Sequence, residues 1–194
     1  MRSIRPVVVT CAVVIMMATS CGTSGRELTT PDGTVTPVPT VGVVANLADG
    51  PGGMAIRGVA FQPGDVVDPG LTGVDGEPPD IVWTHIPAGT AELALIARDA
   101  DAAPDERVRW AVAGLPPRSA GIRTGALPAG AFEVERPDGV TTWAGVSTTG
   151  HRVQFVLCAL PGPVPADIDV AGLQDRCDTN PIGVASVAVI VGGS

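Results

Sequence analysis

Between Ile56 and Val191 the apolar residues come in short runs, and nearly every run is cut off by Pro or Gly, of which the chain holds 19 and 25. Val, Ala, Leu and Ile fill these runs, because the chain has only three Trp, three Phe and no Tyr. Runs of this length, Val-rich and ended by turn formers, favour strands over helices. Strands are predicted over Ile56–Phe61, Ile81–Trp83, Ala91–Arg98, Val108–Ala113, His151–Leu160 and Ile182–Val191, with Val66–Pro69 as a short edge segment and Thr141–Ala144 as a further short strand. Ala91–Arg98 reads AELALIAR, which suits a helix by propensity. It is short, uncapped and flanked by turns, so it is assigned to a strand. In Val108–Ala113, alternation puts Val108, Trp110 and Val112 on one face and Arg109 and Ala111 on the other. Residues 114–131 read as a Pro- and Gly-rich loop, and Ile168–Asp175 as one or two helical turns. The whole pattern predicts a mainly β, antiparallel sandwich.

The first 20 residues read differently. Arg2 and Arg5 precede an apolar stretch, Pro6–Ala18, too short to span a bilayer. It ends in Ala18-Thr19-Ser20-Cys21, similar to a bacterial lipobox, in which the Cys becomes the lipidated first residue. Residues 1–20 are thus read as a lipoprotein signal peptide. Residues 21–53 are a Thr-, Pro- and Gly-rich linker anchored through acyl chains, palmitate among them, on Cys21, and residues 54–194 are the folded domain. Two acyl chains hold a protein stably at a membrane surface. The expected location is the extracytoplasmic face of the cell membrane. The net charge is −8, and without residues 1–20 it is −10. With no basic run, nucleic acid is not an expected partner.

Acidic residues emerge where the Ala91–Arg98 run ends, at Asp99 and Asp101, ahead of Pro104. Polar side chains released from a strand into a loop are common site formers. Four segments in order then carry a resemblance: Ala60-Phe61-Gln62-Pro63-Gly64; Pro78-Pro79-Asp80-Ile81-Val82-Trp83 with Ile86–Thr90; Asp99-Ala100-Asp101-Ala102-Ala103-Pro104; and Gly150-His151-Arg152-Val153-Gln154-Phe155-Val156-Leu157-Cys158-Ala159-Leu160. Together they resemble the phosphatidylethanolamine-binding protein family, also called Raf kinase inhibitor-like, over roughly residues 54–192. The resemblance implies a large antiparallel sheet packed on a smaller one, with a short helix or two near the C-terminus. It also implies a small pocket for phosphate-like head groups, lined here by Asp99, Asp101, Arg109, His151, Pro79 and Gly145.

Two positions depart from the family pattern. Arg109 stands where the His of its His-Trp pair is expected, and Val153 where the Tyr of His-Arg-Tyr is expected. Arg109 is able to clamp an oxyanion through its fork. Equally, it is able to pair with Asp99 or Asp101 and close the pocket. The partners so implied are a small anionic ligand or phospholipid head group, the membrane through the anchor, and an envelope protein if the pocket is structural, as in a protease-inhibitor-like module.

Cys158 and Cys177 form an even pair in an oxidising compartment, which favours a disulfide over two free thiols. No cofactor and no metal is implied, since His85 and His151 are the only histidines and share no ligand spacing. No enzyme activity is expected: Ser147 near His151 lacks a nucleophile elbow. Glu133-Val134-Glu135 reads as a solvated strand or loop face, and His85 as solvent-facing.

Overall fold

The computed structural model describes residues 53–72, 77–123 and 126–193. Cys21, the expected signal peptide and the expected linker up to residue 52 lie outside the described residues. Among the described residues, nine strands and one α-helix follow in order, with a short 3-10 helix at Pro69–Thr72 after β2: β1 Ala55–Gly58, β2 Val66–Val67, β3 Ile81–Thr84, β4 Glu92–Asp99, β5 Val108–Leu115, β6 Gly121–Ile122, β7 Phe132–Glu133, β8 Arg152–Leu160, α1 Val170–Thr179 and β9 Gly183–Val191. They form a three-stranded sheet, β1-β3-β6, and a six-stranded sheet, β2-β9-β8-β4-β5-β7. Every pairing is antiparallel except β2 with β9.

The large sheet is apolar on both faces. One face joins the small sheet in a core containing Ile56, Trp83, Trp110, Trp143, Val153, Phe155 and Val187. The other carries Ala94, Ile96, Ala111, Val156 and Cys158, and α1 covers it with Val170, Leu173 and Cys177. Burial on both sides explains why β4 is a strand despite its helix-favouring letters. Glu92–Asp99 pairs residue for residue with β8 and, with two register shifts, with β5. Those ladders and the two-sided burial outweigh a propensity difference of a few tenths of a kcal/mol per residue.

A single α-helix stands where one or two helices were expected near the C-terminus. It opens on Asp169, whose side chain accepts the Gly172 N–H at 2.7 Å, as an N-cap should. A disulfide joins Cys177 on α1 to Cys158 on β8, with Cα atoms 5.6 Å apart, and so ties the helix to the sheet. The bridge spans 19 residues, and a loop of that size implies about 3 kcal/mol of stabilisation in the chain-entropy account. Replacing both cysteines by Ala is expected to remove about that much, seen as a lower urea midpoint with a steeper slope, because the unfolded chain is released from the cross-link.

Four local expectations need correction. The first strand stops at Gly58, because the chain bends for Phe61 to fold back under it; a Cβ on Gly58 would collide with the Phe61 ring. The loop predicted over 114–131 holds β6, a two-residue strand pairing with β3. Thr141–Ala144 is not a strand; it is held by single bonds, including Ala144 N–H to the Arg109 carbonyl at 2.9 Å.

The fourth concerns β5. Ala97 opposes Trp110 and Arg98 opposes Val108, so Arg109 is an extra residue with no opposite number on β4. This bulge breaks the alternation. Trp110 and Val112 face the inter-sheet core as expected, but Val108 packs with the helix-side cluster and Arg109 turns to the Trp110 side. Re-aiming a side chain is what one inserted residue does to a ladder. A second shift opposes Leu93–Leu95 to the longer Val112–Leu115. It is absorbed by Gly114 at φ 68°, where a Cβ would meet the Gly130 carbonyl at 2.6 Å.

Candidate functional site

Asp99 is the last residue of β4 and is fully buried. Its backbone is fixed by its own N–H donating to the Arg107 carbonyl at 2.8 Å. Its carboxylate gathers three donors. The Asp101 N–H gives to Oδ1 at 3.1 Å, and Oδ2 receives both His151 Nδ1 at 2.8 Å and Arg109 Nη2 at 3.3 Å. Burial pushes the Asp99 carboxyl up, but the His151 hydrogen bond, the Asp101 N–H and the nearby charges of His151 and Arg109 outweigh it. The net result lies below the ordinary carboxylate range. An ionised Asp99 only accepts, so Nδ1 of His151 carries the hydrogen, and Nε2 is the nitrogen left for a ligand.

His151 precedes β8 by one residue. Gly150, at φ 84°, turns the chain there, and its N–H donates to the Val191 carbonyl at 2.7 Å. The Val191 N–H returns a bond to the His151 carbonyl at 2.9 Å, locking the histidine backbone to the end of β9. Arg109 is presented by the β5 bulge, and its carbonyl is gripped by Arg136 Nη1 at 2.7 Å as well as by Ala144 N–H. The Arg109 and His151 side chains are 24% and 28% exposed, so the cluster opens to solvent on their side only.

Asp101 behaves otherwise. It is exposed, and its Oδ2 accepts the Arg152 N–H at 2.7 Å, capping the start of β8. The Asp99–Asp101 segment is a turn closed by Asp99 on the Asp101 N–H, not an extended loop with both acids facing one way. Gly145 follows Ala144 beside Arg109, and Pro79 is buried just ahead of β3. His85 is exposed, at φ 57°.

Sequence reasoning missed two residues around this cluster. Arg136 is 7% exposed; besides the Arg109 carbonyl it donates to the Thr142 carbonyl at 3.0 Å and to Asp138 at 2.9 and 3.2 Å. It staples the segment carrying Trp143 to β5. Glu133, expected on a solvated face, accepts Trp110 Nε1–H at 2.7 Å, and its neighbour Val134 is buried in the helix-side core. The only signal for Arg136 was its place in an Arg-Pro-Asp-Gly turn, which announces a turn and says nothing of a buried guanidinium.

Two solved structures share this architecture. YbcL of Escherichia coli, described as a new member of the mammalian PEBP family, matches 73% of this chain and 99% of its own length with a TM-score of 0.63 at 19% identity. CT736 of Chlamydia trachomatis, described as a phosphatidylethanolamine-binding protein homologue, matches 73% and 98% with a TM-score of 0.64 at 20% identity. Residues 57–191 match the family described as phosphatidylethanolamine-binding protein. The chain belongs to the phosphatidylethanolamine-binding protein family. Among curated proteins, it is 34% identical over 100 residues to a Mycobacterium tuberculosis protein named as a lipoprotein, LppC. The match covers 50% of this chain and 49% of that one, so the chain spans about half the length of the curated relative. Among the described residues, no helix is long and apolar enough to cross a membrane.

Proposed function

We propose that the chain is a lipid-anchored, extracytoplasmic binding module whose Asp99, Arg109 and His151 cluster takes a small anion of the phosphate head-group kind, with Asp101, Pro79 and Gly145 around it. The observation that carries this reading is the looseness of Arg109. Charge-assisted N–H···O⁻ bonds are usually about 2.7–2.9 Å. The His151–Asp99 bond is that short, but Arg109 reaches Asp99 through one nitrogen at 3.3 Å, and its buried Nε has no partner among the described residues. A guanidinium held this weakly has donors to spare for an oxyanion, with the His151 ring on the same carboxylate. The anchor is supported by Cys21 at the end of a short apolar run and by the lipoprotein name of the half-matching relative. The disulfide fits an oxidising compartment.

One observation favours the alternative, a protein-interaction or protease-inhibitor-like module with a structural pocket: Arg109 does contact Asp99, and this pairing neutralises both. Amide shifts followed while phosphate and then phosphorylethanolamine are added decide between the two. Saturable shifts at Asp99, Arg109 and His151, weakened at least about tenfold in Arg109→Gln, are expected for an open site. An absence of shifts there means a closed ion pair, and the partner is then a protein.

A further inference from the structure

β7 ends at Glu133, and one more bond follows along the outer edge of β5, from Val134 N–H to the Ala111 carbonyl at 2.9 Å. The Arg109 carbonyl comes next on that edge, past the end of β7. Two donors meet it instead of a strand: Ala144 N–H at 2.9 Å and Arg136 Nη1 at 2.7 Å. A bulge residue is left unpaired in its ladder, so such outside bonds are what hold its backbone. Arg136 is itself firmly held. It is 7% exposed, and its Nη1 also gives to the Thr142 carbonyl at 3.0 Å. Its Nε and Nη2 lie along the Asp138 carboxylate at 3.2 and 2.9 Å, as a guanidinium fork does. Asp138 in turn accepts Val140 N–H at 3.1 Å. The turn is closed by Arg136 N–H on the Val140 carbonyl at 3.0 Å and Gly139 N–H on the Arg136 carbonyl at 2.9 Å. It therefore aims a buried guanidinium at two carbonyls, one of which belongs to Arg109.

We infer that Arg136 is a positioning residue for the anion cluster: by clamping the Arg109 carbonyl at the bulge, it sets where the Arg109 side chain reaches. This rests on the reading of Asp99, Arg109 and His151 as an anion site. Arg109 needs such a hold. It has no opposite number on β4, its Nη2 meets Asp99 only at 3.3 Å, and its Nε has no partner among the described residues. Side-chain contacts this sparse leave its direction to the backbone. A binding group is effective when the groups behind it are themselves locked. The N–H groups of Arg136 are nearly all committed to Asp138, Arg109 and Thr142, so it acts through Arg109 and not by meeting the anion.

Sodium phosphate titrated into the purified full chain tests this, with the Arg109 Nε–H signal as the readout. Its heteronuclear NOE, recorded before phosphate is added, reports how firmly that side chain is held. Arg136→Lys keeps the positive charge, but one ammonium cannot lie along Asp138 and also span both carbonyls. A less ordered Arg109 Nε–H and an affinity for phosphate about tenfold lower are expected. Asp138→Asn, at an exposed position, keeps an oxygen for the fork but loses its charge, and about threefold weaker binding is expected. It decides the matter if Arg136→Lys does not fold. The control replaces Cys158 and Cys177 by Ala, which unties α1 on the opposite face of the sheet. That variant loses stability and is expected to keep the parent's Arg109 order and affinity. The inference is overturned if the Arg136 and Asp138 variants keep both as well, or if the cysteine variant loses both as they do. A parent whose Arg109 signal ignores phosphate sinks the anion reading alone, and the order of Arg109 in Arg136→Lys then decides by itself whether Arg136 aims it.

Discussion

Asp99→Ala is expected to cost about 4 kcal/mol and to abolish anion binding. The carboxylate is fully buried, and it alone joins His151, Arg109 and the Asp101 N–H. Removing one partner of a buried ion pair typically costs about 3–5 kcal/mol. Arg109 and His151 retain some solvent contact, which puts the ionic loss near the low end, about 3 kcal/mol. The stranded Asp101 N–H adds about 1 kcal/mol. Urea unfolding checks the total. A loss under about 1 kcal/mol would show that the cluster does not hold the ends of β4, β5 and β8 together.

The gentler Asp99→Asn isolates the charge. The folded-state pKa of Asp99 lies below its ordinary value, so ionised Asp99 stabilises the fold. That contribution is fully present above about pH 4, the unfolded value, and is lost as pH falls through the lower folded value. The stability difference between the parent and Asp99→Asn is therefore expected to shrink from neutral pH to about pH 3 or below. Asp138 is also held below its ordinary value, through Arg136. It is present in both proteins and drops out of the difference. A gap that stays constant across that range would mean that shape, and not charge, is what Asn disturbs.

The meeting of three candidate residues was legible in the letters. Asp99, Arg109 and His151 were each expected in the pocket, and the structure brings all three to one carboxylate oxygen and its approach. What could not be read was how Arg109 gets there. Strict alternation on β5 sends its side chain away from Trp110, and the bulge that reverses this exists only once β5 is paired with β4. The same limit hid β6, whose two residues become a strand only against β3. Asp99 and Asp101 look equivalent in sequence, yet one ends a central strand and is buried while the other caps the next strand in solvent. Patterns of period two or 3.6 report which face a residue takes inside an element. They carry no information on insertions between paired strands or on which of two acids the turn will bury.

Phe155→Ala is expected to cost about 4 kcal/mol, in the range for truncating a buried aromatic, although the residue touches no ligand group. The chain has six aromatic side chains, and four of them are joined by ring contacts in the core between the sheets. Phe61 lies on Phe155 at 5.8 Å, Phe155 on Trp143 at 5.9 Å with an 11° tilt, and Trp143 meets Trp110 edge-on. Phe155 is the fully buried middle of that chain of contacts. On β8 it stands two residues beyond Val153, which opposes Asp99, and itself opposes Ala97. Its removal takes away two ring contacts and leaves a void that the paired strands cannot close by sliding, since β8 is fixed in register on both sides. Phe155→Leu, which keeps most of the volume, is expected to cost about 1 to 1.5 kcal/mol. Thermal unfolding separates the two: Phe155→Ala is expected to lower Tm by more than about 10 °C and Phe155→Leu by no more than about 5 °C. Equal losses would mean that the specific ring stacking, and not filled volume, stabilises this part of the core.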